Sequence, residues 1–292
     1  MRISEHCEVV PGPRHGAYPH GNPLRVHGSE RTLQIDAARG TDFAGVDLVA
    51  ISHYHEDHVV GVAQSGLPAF IHHRDLVGVQ SAEGFAQAAG AQDAAVAQRL
   101  IDDFGWEPIH AAQPVEDGHV FDLGGGVTVR VVALPGHTGG HSGFFVEPDE
   151  VFYIGDIDLS SFGPLYADRA SSLDEMRASL DLVRDTEAEV YVTAHHKGYV
   201  DRPTLLVELA KFRGVIDRRE ARIRELLAEG PESIDDMIGR GVVYREGTQV
   251  DYLEGVERKT ISLHLAEIDP ALLSALTAGP RSATELAPTS GA

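Results

Sequence analysis

Residues 51–61, ISHYHEDHVVG, place three histidines and an aspartate within six positions directly after an apolar run. Crowding imidazoles in this way costs charge repulsion and desolvation and brings no packing gain, so the cluster indicates a metal site. In an extended backbone His53 and His55 project to the same side, and two imidazole nitrogens can meet one cation. If a helix begins near Asp57, then Asp57 and His58 leave the loop in different directions and can serve a second, adjacent cation.

The composition restricts both the ligands and the partners. The only cysteine, Cys7, cannot form an internal disulfide, so the ligands of a metal must be nitrogen and oxygen atoms. The formal net charge is -21, from 24 Lys and Arg against 45 Asp and Glu, which disfavours nucleic acid and anionic membranes as partners. No stretch reaches the roughly 18 uninterrupted apolar residues of a membrane span, and the N-terminus lacks an apolar signal core, so we expect a cytoplasmic protein.

Three further polar motifs stand where apolar, strand-like runs end. LPGHTGGHSG supplies His137, YIGDIDL supplies Asp156, and VTAHHKG supplies His195 or His196. Sites are commonly built on loops at one edge of a sheet, so we expect these side chains near the histidine cluster. A carboxylate between two cations can bridge them, and Asp156 is the only candidate placed as the others are. Asp36, at the end of its own strand, either orients a metal-bound histidine or is a turn aspartate.

The pattern of apolar and polar residues changes after Pro203. Before it, short apolar runs between Gly and Pro turns alternate with helical patterns, which indicates a catalytic α/β domain over residues 1–202. After it, helical periodicity predominates, which predicts a helical C-terminal region over residues 203–292. The long pattern TLLVELAKFRGVIDRREARIRELLAEG must bury its apolar stripe, so we expect these helices either to cap the active-site edge or to form a homodimer contact.

Four motifs in order resemble those of the metallo-β-lactamase superfamily, in its dinuclear metallohydrolase branch of glyoxalase II and lactonase-like enzymes. They are HYHEDH, PGHTGGHS, GDID and AHHKG. The resemblance covers about residues 20–200, and the ordered set is far more specific than any one motif. It implies an αββα sandwich of two mixed sheets with helices outside and metals at one edge.

The same resemblance implies the metal ligands residue by residue. The first metal would take His53, His55 and His137, the second Asp57, His58 and His195, and Asp156 would bridge. Where the family commonly has GHG this chain has AHHKG, so His195 aligns with the ligand and His196 is left to contact substrate or pack beneath the loop. The implied cofactor is a pair of Zn²⁺ ions, with iron or manganese as alternatives. No cysteine replaces Asp156, which argues against the zinc β-lactamases that use one.

The ligand set and acidic charge favour a hydrolase that uses a metal-bound hydroxide on a small ester, thioester or lactone. In this interpretation Asp57 is also catalytic, because it can pass the proton of the hydroxide to the leaving group. Tyr18, Phe162 and Tyr166 predict an aromatic rim, which favours an acyl or aromatic ester group over a bare phosphate.

Three other functions fit parts of the pattern. A phosphodiesterase or nuclease could be built on the same dinuclear site, although the acidic charge disfavours RNA. A mononuclear iron oxygenase acting on persulfides would need about one iron per chain. A metal-stabilised interaction module is the non-enzymatic alternative, and the open coordination expected of the site argues against it.

Overall fold

The computed structural model describes residues 1–90 and 94–278. They form two compact units, of which the first is Met1–Asp217 and the second begins at Arg218. The division falls inside one long helix, Arg202–Ala228. The domain boundary predicted between residues 202 and 203 lies at the start of that helix and stays a prediction.

The first unit contains two six-stranded sheets. The first sheet has, in spatial order, β1 (Cys7–Val9), β2 (Leu24–His27), β3 (Thr32–Ile35), β4 (Leu48–Ile51), β5 (Ala69–His72) and β6 (Gln113–Val115). Its first two pairings are antiparallel and the next three, from β3 to β6, are parallel. All four residues of β4 are buried, as its uninterrupted apolar sequence predicts for a strand covered on both faces.

The second sheet contains β7 (Val120–Asp122), β8 (Thr128–Ala133), β9 (Ser142–Glu147), β10 (Val151–Tyr153), β11 (Val190–Val192) and β12 (Tyr199–Asp201), neighbouring one another in sequence order. Only the pairing of β10 with β11 is parallel. Since β9 is antiparallel to both of its neighbours, β8, β10 and β11 all run in one direction. Residues 120–153, whose apolar runs are separated by Gly and Pro turns, thus form four consecutive strands of one sheet.

The described helices are α1 (Pro13–Gly16), α2 (Glu56–Val59), α3 (Val62–Ser65), α4 (Leu76–Gln80), α5 (Ala82–Ala89), α6 (Ala94–Phe104), α7 (Leu173–Asp185), α8 (Arg202–Ala228), α9 (Leu253–Ile268) and α10 (Pro270–Ala278). Short 3₁₀ turns cover His73–Asp75 and Ile234–Met237. In α1, Arg14 and His15 have left-handed backbone angles, so this element is a tight turn. None of the described helices is long and apolar enough to cross a membrane.

Both faces of each sheet are buried. Val26 and Leu33 of the first sheet share one apolar cluster with Val129, Phe144 and Tyr153 of the second, which fills the space between the sheets. On the outer face of the first sheet, a separate cluster joins strand residues to helix residues; it includes Val49, Ile51, Val79, Phe85 and Trp106. On the outer face of the second sheet, where side chains alternate with the inner ones, Phe152 and Tyr191 are fully buried. The predicted αββα sandwich is confirmed.

The second unit has its own apolar core. Ile223 and Leu226 from the end of α8 cluster with Met237, Ile261 and Leu265. The predicted helical character of the C-terminal region holds over the described residues, although ESIDDMIGRG forms a 3₁₀ turn and not an α-helix. The tail PRSATELAPTSGA lies outside the described residues. Whether this region caps the site or mediates a dimer stays a prediction.

Candidate metal centre

The predicted ligands follow strands whose carboxyl ends lie at the same edge of their sheets. His53, His55, Asp57 and His58 follow β4, His137 follows β8, Asp156 follows β10, and His195 follows β11. Within each sheet the relevant strands run in the same direction, so the loops after them are neighbours. Helix α2 begins at Glu56 with His55 as its N-cap, which confirms the predicted helix start near Asp57.

Three imidazole nitrogens form the first group. The distance from His53 Nε2 to His55 Nδ1 is 3.0 Å, and His137 Nε2 lies 3.2 Å from the first atom and 3.1 Å from the second. Ligands of a tetrahedral zinc ion at the usual Zn–N distance are about 3.3 to 3.4 Å apart. The three atoms are therefore spaced nearly as the nitrogens of a metal site would be.

The other nitrogen of each ring fixes where the lone pairs are. His137 Nδ1 donates to Leu165 O at 2.9 Å, and His55 Nε2 donates to Asp168 Oδ2 at 2.8 Å. In their neutral forms His137 and His55 therefore present Nε2 and Nδ1, respectively, as acceptor nitrogens, and these two atoms face each other. With both rings neutral the two lone pairs would repel, and a cation that accepts both removes that repulsion. The residues present therefore fit a metal ion.

The second group, formed by His58, His195 and Asp57, is arranged in the same way. His58 Nε2 and His195 Nε2 are 3.3 Å apart, while their Nδ1 atoms donate outward, His58 to Asp36 Oδ2 at 2.8 Å and His195 to Gly16 O at 2.7 Å. The Asp57 carboxylate completes the group, with Oδ2 3.4 Å from His195 Nε2 and Oδ1 3.7 Å from His58 Nε2. Two imidazole nitrogens and a carboxylate again converge on one point, and a cation there would take the place of protons on the two Nε2 atoms.

Asp156 lies between the two groups. Its Oδ1 is 3.1 Å from His58 Nε2 and 3.5 Å from His195 Nε2, and its Oδ2 is 3.4 Å from His137 Nε2. Oδ1 is buried, and no described residue makes a well-aligned hydrogen bond to it, although His58 Nε2 lies nearby. A buried carboxylate oxygen without a donor is costly, and coordination of a cation would satisfy it. One oxygen thus faces each group, as expected of a bridging ligand.

The three histidines of the first group differ in the direction in which their pKa values are shifted. Burial and the neighbouring imidazoles lower the pKa of His137 to about 3 and hold the pKa of His53 well below its usual range. Both rings are thus neutral at pH 7 and can present a lone pair. Burial also lowers the pKa of His55, but the Asp168 carboxylate outweighs it and raises the pKa to about 9, so this ring is protonated at pH 7 without a cation, and a bound cation would take the place of the proton on Nδ1. The imidazoles around Asp156 outweigh its burial and hold its pKa well below the usual range, so it is ionised.

Asp36 takes the orienting role that the sequence left open. It accepts hydrogen bonds from the backbone N–H of Ser52 at 2.6 Å, the Ser52 hydroxyl at 2.7 Å and the Tyr153 hydroxyl at 2.7 Å. Because these donors fix the carboxylate, Asp36 in turn fixes the ring of His58 and keeps its N–H on Nδ1.

Sequence reasoning missed two other orienting residues. Asp168 binds His55 Nε2 and also accepts a hydrogen bond from the Tyr54 hydroxyl at 2.6 Å. His141 accepts the backbone N–H of Asp156 on Nε2 at 3.0 Å and donates from Nδ1 to a backbone carbonyl. A signal existed for His141, which stands in PGHTGGHS four residues after a predicted ligand. Nothing in the spacing of Asp168 distinguishes it from other loop aspartates.

The predicted substrate contacts divide into two kinds. Tyr18 is 45% exposed and Phe162 is 40% exposed, so both present an aromatic surface to solvent. His196 is also exposed and its Nε2 lies 3.6 Å from Asp158 Oδ2, whereas His195 points into the ligand cluster. Tyr166 is fully buried, so it does not lie on an exposed aromatic rim, and a contact between it and a substrate stays a prediction. The alternation of aromatic residues in SSFGPLYADR does not reveal which ring packs inward.

A separate group of His72, His73 and Glu116 lies at the ends of β5 and β6. His72 Nδ1 accepts the backbone N–H of Arg74 at 3.3 Å, and His73 Nδ1 lies 2.9 Å from Glu116 Oε2 with both side chains exposed. A backbone hydrogen bond to His72 and an exposed pair between His73 and Glu116 account for these groups, so they need no metal.

Comparisons with known proteins agree on a family. Residues 26–195 match the family model described as "Metallo-beta-lactamase superfamily". A solved metallo-beta-lactamase family protein from Thermus thermophilus superposes with a TM-score of 0.64 over 90% of this chain and 94% of that chain, at 21% identity.

Two curated relatives share part of the sequence. A hydroxyacylglutathione hydrolase from Methylococcus capsulatus is 27% identical over 42% of this chain and 47% of its own length. An atrochrysone carboxyl ACP thioesterase from Aspergillus chevalieri is 28% identical over 47% of this chain and 41% of its own length. The chain thus spans less than half the length of these relatives.

Proposed function

The chain belongs to the metallo-beta-lactamase superfamily, and from that premise we propose that it is a dinuclear metal-dependent hydrolase of a small ester, thioester or lactone. The observation that carries the proposal is Asp156, a carboxylate that is 17% exposed and has one oxygen facing each of the two groups of imidazole nitrogens. One relative is named a hydrolase and another a thioesterase, which favours hydrolysis of an acyl compound.

The donor set suits Zn²⁺, which we propose as the cofactor with iron or manganese as alternatives. Imidazole nitrogens and carboxylate oxygens are common zinc ligands, and the ligands named here include no thiolate. His53, His55 and His137 would hold one ion, and Asp57, His58 and His195 the other. When bound, such a pair acidifies a water molecule and polarises the carbonyl oxygen of the substrate.

The chain's own residues supply the proton transfer. The Asp57 carboxylate is buried beside the second group, with both oxygens turned toward imidazole nitrogens. It can accept a proton from the attacking water and donate it to the leaving oxygen or sulfur as the acyl bond breaks. Asp36 and Asp168 hold the rings of His58 and His55 in one tautomer, so the donor atoms are preorganised before the substrate arrives.

The surroundings favour a small acyl substrate over a nucleic acid. Tyr18 exposes part of its ring while its hydroxyl donates to Glu56 Oε1 at 3.0 Å, so one aromatic side chain is anchored next to the ligand loop. An anchored aromatic ring favours an apolar acyl or aryl group. The net charge of -21 disfavours a polyanion.

A substrate panel tests the proposal. Purified, zinc-loaded protein is assayed on thioesters, lactones, aryl esters and bis-aryl phosphodiesters. We expect turnover of at least one carboxylic ester class and its loss in Asp156→Asn. Asp174→Asn is the matched control, because the Asp174 side chain is 92% exposed on α7, and it should retain full activity.

Two results would replace this proposal with another function. Activity confined to the phosphodiester would assign a phosphodiesterase or nuclease to the same site. Bound iron near one per chain, with no hydrolysis of any ester, would favour the mononuclear oxygenase.

A further inference from the structure

The two ligand groups differ in the segments of the chain that contact the outer ring nitrogens of their histidines. In the first group, the outer nitrogens of His55 and His137 contact Asp168 and Leu165, which both belong to the loop between β10 and α7. In the second group, His195 Nδ1 is within 2.7 Å of Gly16 O and 2.8 Å of His20 O. These two carbonyls belong to the segment between β1 and β2, which supplies no predicted metal ligand.

That segment, residues 12–22, is folded around the side chain of Asn22. Asn22 is 2% exposed. Its Oδ1 accepts the backbone N–H of Gly12 at 3.2 Å, and its Nδ2 donates to His15 O at 3.1 Å. The Asn22 side-chain amide thus links the end of the segment to its first residue, Gly12, and to His15 near its middle.

The same residue ties the segment to the ligand loop. The backbone N–H of Asn22 donates to Ala194 O at 2.6 Å, directly before His195. Gly16 is packed against the Asn22 amide so closely that an added Cβ would lie 2.4 Å from Nδ2, and its φ of +68° is one that other residues rarely adopt. The position of the Gly16 carbonyl therefore depends on Asn22.

We propose that Asn22 is a positioning residue for the second metal site, because it holds the Gly16 and His20 carbonyls where both can accept the Nδ1–H of His195. This inference rests on the proposed two-metal function. Two acceptors on one N–H keep the proton on Nδ1 and prevent the ring from turning, so the Nε2 lone pair stays directed toward Asp57 and His58. Within residues 1–90 and 94–278, Asn22 makes its hydrogen bonds to the segment and to Ala194, so its effect is specific to one metal.

Calorimetric titration of metal-free protein with Zn²⁺ tests this without reference to activity. In Asn22→Ala we expect one of two zinc equivalents to bind about 10- to 100-fold more weakly, the range typical for partners behind a metal ligand, while the other is unchanged. Asn22→Asp keeps an acceptor for Gly12 but sets a carboxylate against His15 O, so it should weaken the same equivalent. Asp168 accepts the hydrogen bond from His55 in the first group, so Asp168→Asn should weaken binding of the other equivalent.

A double variant separates positioning from general support of the fold. If Asn22 acts through His195, then Asn22→Ala has no further effect on zinc binding in a His195→Gln background. Equal weakening of both equivalents, an unchanged titration, or an additive effect in that background would each overturn the proposal. A wild-type protein that binds one equivalent would overturn the two-metal function separately; the Asn22 variant is then judged on that equivalent by the same double-variant rule.

Discussion

His55 and His58 each donate a ring N–H to a carboxylate outside the predicted ligand set, Asp168 and Asp36. At the scale of single residues, these two contacts decide which nitrogen of each ring faces the cluster, and so which atom can bind a cation. The pattern HYHEDH predicts that imidazoles gather, but it does not predict their tautomers, because the orienting partners are 22 and 113 positions away.

Gly155 provides a residue-scale prediction. Its φ is +55°, and an added Cβ would lie 2.4 Å from His141 Nε2, the atom that accepts the Asp156 N–H. Gly155→Ala should therefore lower the free energy of unfolding by about 1–3 kcal/mol and weaken both zinc equivalents by displacing Asp156. Gly105→Ala is the control, because Gly105 has a φ of +65° and no atom within 4 Å of its added Cβ. Equal zinc binding in the two variants would contradict the displacement.

Cys7 gives a second prediction at this scale. The thiol has no exposed surface, and its burial raises the pKa to about 12. Because the thiolate is the reactive form, native protein at pH 8 should not react with a disulfide reagent over an hour, whereas protein in guanidinium chloride should release one equivalent. Rapid reaction of native protein would mean that the N-terminal strand opens.

At the scale of elements, patterns within one segment were predictable and contacts between distant segments were not. Gly90 ends α5 in a left-handed conformation, the usual role of a glycine at the C-terminal end of a helix. The ligand loops stand at strand ends, as the apolar runs predict. By contrast, the segment 12–22 acts through backbone carbonyls, which every residue carries, so its sequence YPHGN holds no sign that it contacts His195. The burial of Tyr166 likewise depends on packing that no local pattern encodes.

Asp149, in the turn after β9, contacts the residues just before β1, and this contact gives a prediction of pH dependence at the scale of elements. Asp149 accepts hydrogen bonds from the backbone N–H of His6 at 2.7 Å and from the Ser4 hydroxyl, and its Oδ1 lies 2.6 Å from His6 Nδ1. Burial raises the pKa of Asp149, but the hydrogen bonds from His6 and Ser4 outweigh it and lower the pKa below the usual range.

A lowered folded-state pKa contributes stability that is present above the unfolded pKa of about 4 and is lost as pH falls through the folded value. Asp149→Asn should therefore reduce the free energy of unfolding by about 1–2 kcal/mol at pH 7. The difference from wild type should shrink below about pH 4, as followed by urea unfolding across pH. Asp174→Asn should show no such trend, and a pH-independent deficit in Asp149→Asn would contradict the linkage.

At the scale of the whole molecule, helix α8 decides where the chain can be shortened. Its first half belongs to the first compact unit, where Arg202 Nη1 donates to Thr186 O at 2.8 Å and Val215 packs against Gly163. Truncation after Gly198 removes both contacts together with the buried side chains of that half, which include Leu205 and Phe212. Loss of several buried apolar side chains costs more than the roughly 5–15 kcal/mol that stabilises a domain, so this variant should be insoluble or inactive.

Truncation after Asp217 keeps those contacts and removes only the second unit, whose core lies within its own residues. It should therefore unfold cooperatively and retain more structure than the shorter variant, as measured by circular dichroism and thermal melting. Comparing ester hydrolysis and sedimentation of the two-unit protein and this variant then tests the predicted roles of the C-terminal helices. Lost activity with an unchanged monomer mass would favour a role at the active-site edge, and a change from dimer to monomer would favour a dimer contact.

For the shorter truncation, a soluble, fully active protein ending at Gly198 would show that α8 is dispensable and would contradict the prediction that this variant is insoluble or inactive.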